Sequence, residues 1–308
     1  SVGVSFAALH EQGVDPVVAR INMAFKTPLK SGDEFVSKLY MKKEGIKYVF
    51  YQDIFRKSDQ KVVVKSTVET EEQIYSIALT MVPGIGHIGA KRLVEGMKSA
   101  TDVFRFRKEL AQRLSGVHER VSGALDCPSI IARAEQELVF LQKNHIQCLT
   151  FHDEAYPSRL RECEDAPVVL FYKGNADLNA LHIINMVGTR HATDYGTQLC
   201  TTFLRDLKAL CPDVLVVSGL AYGIDINAHR SALDNDLPTV GVLAHGLDRI
   251  YPSLHRKTAV EMLDKGGLLT EFPVGTTPDK HNFISRNRIV AGMCDATIVV
   301  ESAAKAAL

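Results

Sequence analysis

The chain is predicted to be an α/β protein: a doubly wound, mostly parallel sheet preceded by a small helical domain and an N-terminal antiparallel β segment. Three observations carry this prediction. Five short apolar runs between Ile183 and Val300 alternate with stretches of helical spacing, the pattern of parallel strands buried on both faces. Three of those runs end in glycine-bearing turns, at Gly188, at Ser218-Gly219 and at His245-Gly246. Upstream, the apolar period is two from Pro16 to Thr70 and becomes helical from Glu71 to His145. The expected domains are residues 1–70, 71–150 and 151–308.

In chain order, Val17 to Phe25, Glu34 to Lys42, Lys47 to Phe55 and Lys61 to Val68 are read as four strands of an antiparallel meander, separated by glycine and charged turns. Ile74, Ile77, Ala78 and Met81 then form one helical stripe, which Val82-Pro-Gly-Ile-Gly86 interrupts. A connector containing Tyr156-Pro157 leads to strands at Ile183–Val187, Val214–Val217, Thr239–Leu243, Leu268–Thr270 and Thr297–Val300. In such a sheet the glycine turns line one carboxyl edge, where open α/β sheets place their ligands.

With Lys+Arg 36 against Asp+Glu 36, net charge argues nothing about nucleic acid, and only local clustering can. The six cysteines are scattered without a C-x-x-C pair, so they read as reduced thiols rather than disulfides or zinc ligands. No apolar run approaches the roughly 18 residues of a membrane span, and no signal-peptide pattern opens the chain, so a cytoplasmic protein is expected.

One cluster stands out: Lys280-His-Asn-Phe-Ile-Ser-Arg-Asn-Arg288, read as a loop rising from the carboxyl edge, sets Lys280, Arg286 and Arg288 around Phe283 with no carboxylate before Asp295. Cations interleaved with a ring suit a flexible polyanion with exposed π-faces, which is single-stranded nucleic acid. A second anion device is Gly188-Thr189-Arg190, a glycine turn carrying a guanidinium. At Ser218-Gly219 the chain turns from strand to helix. The amides at that helix start could bind an anion, or the turn could be a plain βα connection.

A dinucleotide cofactor is disfavoured, because the first turn reads Gly188-Thr-Arg-His-Ala-Thr193 and not G-x-G-x-x-G, and no acidic residue follows the second strand. No cofactor is expected. Asp225 and His229, four apart on a helix, could form an acid–base pair with Ser218 as nucleophile, but no G-x-S-x-G elbow accompanies them. Capping by Asp225 and packing by His229 is the plainer reading. In the helical segment, Val82-Pro-Gly-Ile-Gly-His-Ile-Gly-Ala-Lys-Arg92 resembles a helix-hairpin-helix element, in which backbone amides, Lys91 and Arg92 meet a phosphate. The same residues could serve only as a packing hairpin.

Met186-Val-Gly-Thr-Arg190, Ser218-Gly-Leu-Ala-Tyr-Gly-Ile-Asp225 with Ala228-His229, Gly246-Leu-Asp-Arg-Ile-Tyr-Pro252, Leu269-Thr-Glu271 and Phe283-Ile-Ser-Arg-Asn-Arg-Ile-Val-Ala-Gly292 together resemble the DprA/Smf family of DNA-processing proteins, over about Glu71 to the end. The resemblance implies a helical (SAM-like) domain and a Rossmann-like domain that binds single-stranded DNA without catalysis and dimerises. It also implies protection of incoming DNA in natural transformation and help in loading the RecA recombinase. By that resemblance Gly188, Thr189, Arg190, Ser218 and Gly219 form a phosphate pocket, Lys280, Arg286 and Arg288 clamp the backbone, and Phe283 stacks a base. The family continues beyond a segment like Val299 to Leu308 with a Ser/Gly-rich turn, a further strand and helix, and often a winged helix. A C-terminally truncated Rossmann-like domain is therefore expected, with the homodimer in doubt.

Val17 to Thr70, with Arg20-Ile-Asn-Met-Ala-Phe25 and Pro28-Leu-Lys-Ser-Gly-Asp33, instead resembles the strand half of a hotdog-fold acyl-CoA thioesterase lacking its acidic active-site motif. No thioesterase activity is expected from it, and a fusion or joined fragment is, with an accessory β-domain completed by dimerisation as the less favoured alternative. Two competing functions are a thioesterase or nucleotide-processing hydrolase, and a protein scaffold acting through the helical hairpin. The hydrolase class would carry a P-G-G-x-G-T loop, and this sequence has none.

Overall fold

The computed structural model describes residues 22–25, 35–44, 47–56 and 62–67, then 71–117 and 119–302. The chain divides into two compact units, Ser1–Ile74 and Tyr75–Leu308. The first holds β1 (Asn22–Phe25), β2 (Phe35–Glu44), β3 (Lys47–Arg56) and β4 (Val62–Thr67). All pairings are antiparallel, but the order is β1-β4-β3-β2. The expected meander is thus corrected: β2, β3 and β4 follow one another, whereas β1 returns beside β4, Asn22 facing Thr67. Strand periodicity fixes which residues alternate and leaves open which neighbour a strand takes. Arg20 and Pro28 to Asp33, which carry the second resemblance, lie outside the described residues.

The larger unit opens within helix α1 (Glu71–Met81) and continues with α2 (His87–Met97), α3 (Ala100–Arg105), α4 (Leu110–Arg113), α5 (Glu119–Ala124) and α6 (Pro128–Lys143). Ser99 caps α3, accepting from the Asp102 amide, and Pro128 sits at the first turn of α6, where its missing N–H costs nothing. There follow β5 (Gln147–Thr150), α7 (Ser158–Arg161), β6 (Val169–Gly174), β7 (Ile183–Gly188), α8 (Asp194–Leu210), β8 (Leu215–Ser218), α9 (Ile224–Asp234) and β9 (Thr239–Val242). The chain continues with α10 (Arg256–Lys265), β10 (Gly267–Thr270), α11 (Lys280–Gly292) and β11 (Ala296–Glu301). Among the described residues no helix is long and apolar enough to cross a membrane.

The sheet order is β11-β7-β8-β9-β10-β6-β5. The five strands expected from the apolar runs form its parallel part, and β6 and β5 extend it antiparallel beyond β10. The sheet thus begins at Gln147, just after the helical stretch read from Glu71 to His145 and before residue 150. From β7 the chain steps outward through β8, β9 and β10, then returns over all of them to place β11 on the other side of β7. Right-handed crossovers therefore put α8, α9 and α10 on one face and α11 on the other. Side chains of β7 agree: Met186 packs with Cys200, Leu204, Ile224 and Ala228 beneath α8 and α9. Its neighbour Asn185, on the opposite face, donates to the Val290 carbonyl of α11 at 3.1 Å. The direction of winding reverses at β7, so the crevice at its carboxyl end is the topological switch point.

Candidate nucleic-acid interface

Gly188, Ser218 and the residues after Val242 end three neighbouring parallel strands, so their loops share one rim as expected. The Gly188–His191 turn is pinned there. The Thr189 amide donates to the Glu301 carbonyl at 2.7 Å, the Thr193 amide to the Glu301 carboxylate at 3.0 Å, and the Ile224 amide to the Thr189 carbonyl at 3.1 Å. Gly223 makes this approach possible: its φ is +76°, and a Cβ there would strike Thr189 and Arg190 backbone atoms. Held this way, Arg190 is exposed, and its guanidinium carbon lies 5.2 Å from the Phe283 ring centroid.

The stretch expected to be a loop is instead the first two and a half turns of α11. Asp279, in extended conformation, accepts from the Asn282 amide at 3.0 Å and starts the helix at Lys280. On a helix Lys280, Phe283 and Arg286 recur every three residues along one face, while Arg288 is turned about 200° from Arg286. That rotation separates the four residues. Lys280 is exposed at the rim, and Phe283 lies half-buried beneath Arg190.

Arg286 is 3% exposed, and its guanidinium donates to the carbonyls of Gly219 and Val242, 6.0 Å from the Phe283 centroid. A Cβ on Gly219 would collide with that guanidinium, which is why this turn uses glycine. Arg288 pairs with buried Glu271, beside Asp165 at 3.7 Å. Both guanidiniums are thus engaged within the fold. Ser218 and Gly219 are buried as well, and the Ser218 hydroxyl donates to the Met186 carbonyl at 2.6 Å. The helix-start amides of Ala221 and Ile224 are likewise spent on Asp225 and Thr189.

Sequence reasoning missed two rings. Tyr251 lies 6.0 Å from Phe283, centroid to centroid, and Tyr222 packs edge-on to His255 at 5.1 Å; both tyrosines stay close to half exposed. Tyr251 belongs to the Gly246–Pro252 motif, where a solvent-facing aromatic beside a turn was the available signal. Arg190, Lys280, Phe283 and Tyr251 thus form a mixed cationic and aromatic patch on the rim. A larger hollow of about 550 Å3 lies at the opposite, amino ends of β7, β8 and β9, lined by Leu181, Cys211 and Pro238. It carries no comparable charge pattern.

Beneath the rim Asp225 and His229 are buried, and neither faces an open site. Burial pushes the Asp225 carboxyl above its usual range, partly offset by the charge of Arg286. His229 Nδ1 lies 2.7 Å from the Thr239 hydroxyl, which donates to the Val216 carbonyl. Burial and Arg286 hold this imidazole neutral, at about 3, so it packs rather than shuttles protons at neutral pH. The unfolded chain then binds a proton that the folded chain does not as pH falls from 6.5 toward 3, and stability is lost across that window. We expect urea unfolding to show a loss of up to ~1.4 kcal/mol per pH unit from this group. In His229→Gln the acid slope should flatten, and an unchanged slope would contradict the assignment.

The helical hairpin docks within the same unit. Lys91 is buried, donating to the Arg161 and Cys163 carbonyls at 3.0 and 2.7 Å, and His87 lies 3.3 Å from Glu271. Of the two uses foreseen for the hairpin, packing is the one its lysine serves.

An open doubly wound sheet with a guanidinium over a ring at its switch point is a Rossmann-like protein whose carboxyl rim suits a phosphate-bearing ligand. The family model described as DNA recombination-mediator protein A matches residues 147–307, and the chain belongs to that family. The Smf protein of Synechocystis is 33% identical over 238 residues, which cover 76% of this chain and 59% of that protein. DNA processing protein DprA of Streptococcus pneumoniae is 39% identical over 150 residues, 49% of this chain and 52% of that one. The X-ray structure of the pneumococcal DprA superposes with a TM-score of 0.57 at 28% identity, covering 77% of this chain and 80% of that one. The chain spans about half the length of the curated relatives it matches.

Proposed function

We propose that this protein binds single-stranded DNA at the rim formed by Arg190, Lys280 and Phe283, without carrying out a reaction on it. In this reading it acts in the cytoplasm, protects incoming DNA during natural transformation and helps load RecA. The observation that carries the reading is the Arg190–Phe283 contact at the switch point, a guanidinium carbon 5.2 Å from a ring centroid, which supports a phosphate-binding role for the one and a base-stacking role for the other. The pinned Gly188–Thr189 turn supplies its rigid base, and the residues sit where a Rossmann-like sheet presents ligands. Membership of the recombination-mediator family supports the choice of DNA over other polyanions.

A salt titration of oligo-dT binding tests this. Arg190→Ala and Lys280→Ala should each weaken binding similarly across sequences and lower the slope of log K against log salt by about 0.7, the value for one phosphate contact on a single strand. Duplex of the same length is the control. Equal affinity for duplex and single strand would overturn the stacking part of the reading.

A further inference from the structure

The loop carrying Tyr251 has two sides. Tyr251 turns toward Phe283, while Leu247, Arg249 and Ile250 line a separate cleft of about 270 Å3, closed by α10 and the β6–β10 end of the sheet. The cleft's cations are Arg249, Arg256 and Lys173, its wall includes exposed Val260, and its apolar floor includes Leu268. Arg249 is taken by Asp248 at 2.8 Å, but among the described residues Lys173 and Arg256 have no ion-pair partner. Two uncommitted cations over an apolar floor suit an ion that carries apolar surface, and a nucleotide has that composition.

We infer that the cleft is a second nucleotide subsite on the path of the same strand, reached by crossing Tyr251 from Phe283. The inference rests on the single-strand reading of the rim. Tyr251 extends the aromatic platform over the crest of the loop. Beyond it, Arg256 at the start of α10 meets a backbone phosphate near the rim, and Lys173 on β6 meets the next one farther down the sheet face. The base between them lies against Ile250, Val260 and Leu268. Continuity with the rim and charge complementarity select a strand over an isolated small anion.

The test compares oligo-dT of about 6 and about 25 nucleotides, lengths that bracket the span of a single-strand groove, on the wild type, Arg190→Ala, Val260→Glu and the double variant Lys173→Ala/Arg256→Ala. Short oligomers should bind the double variant and Val260→Glu as they bind wild type. The long one should bind both on the order of tenfold more weakly at low salt, with a salt slope for the double variant reduced by about 1.4 for two lost contacts. Arg190→Ala should weaken both lengths. If Arg190→Ala weakens both while the cleft variants match wild type on the long oligomer, the second subsite is excluded and the rim stands. Loss on the short oligomer as well would merge cleft and rim and overturn the extension. No effect of Arg190→Ala on either length would remove the rim reading itself. Val260 is exposed, so its variant keeps the test valid should the double variant unfold.

Discussion

Arg286→Met is expected to lower folding stability by roughly 3–5 kcal/mol, the range seen when one member of a buried charged group is removed. Three losses add up. The carbonyls of Gly219 and Val242 lose their shared donor, and buried Asp225 loses the cation that favours its charged form. The methionine fills similar volume, so the cost is polar rather than a cavity. Urea unfolding measures it, and Asp225→Asn in the Arg286→Met background should recover on the order of 1–2 kcal/mol through coupling of the two sites. A variant within 1 kcal/mol of wild type would show that the guanidinium is not the latch between β8 and β9. Because Gly219 and Phe283 both adjoin this guanidinium, the same substitution should also loosen the rim.

Phe283→Ala should weaken oligo-dT binding by roughly 1–3 kcal/mol, the value of one base stacked on an aromatic side chain. Its salt slope should stay near wild type, because no phosphate contact is removed. Phe283→Trp should retain most of the affinity, since an indole also offers a π-face. The slope separates the ring's own share from any displacement of Arg190, which rests on it. A slope reduced as far as in Arg190→Ala would mean that the ring serves to aim the guanidinium, and that bases do not stack there.

The parallel strands, the helical segment and the shared glycine rim were legible because burial on both faces and turn chemistry write themselves into local sequence. The antiparallel pair β5–β6 was not, since Gln147–Thr150 is four residues long and adjoins a helix, leaving no periodicity to read. In the N-terminal segment, strand existence was readable from alternation, whereas the β1–β4 pairing was not.

For the site the division is sharper. Sequence alone determined that Arg190, Lys280 and Phe283 occur beside turns of one sheet edge, because residue type and strand order suffice for that. Only the tertiary structure decided that Arg286 and Arg288 are committed inward. Once Asp279 starts a helix, side chains two positions apart face nearly opposite ways, and one guanidinium then finds two carbonyls while the other finds Glu271. Charge is a property of the residue; whether that charge remains available depends on what the fold places within hydrogen-bond reach of it.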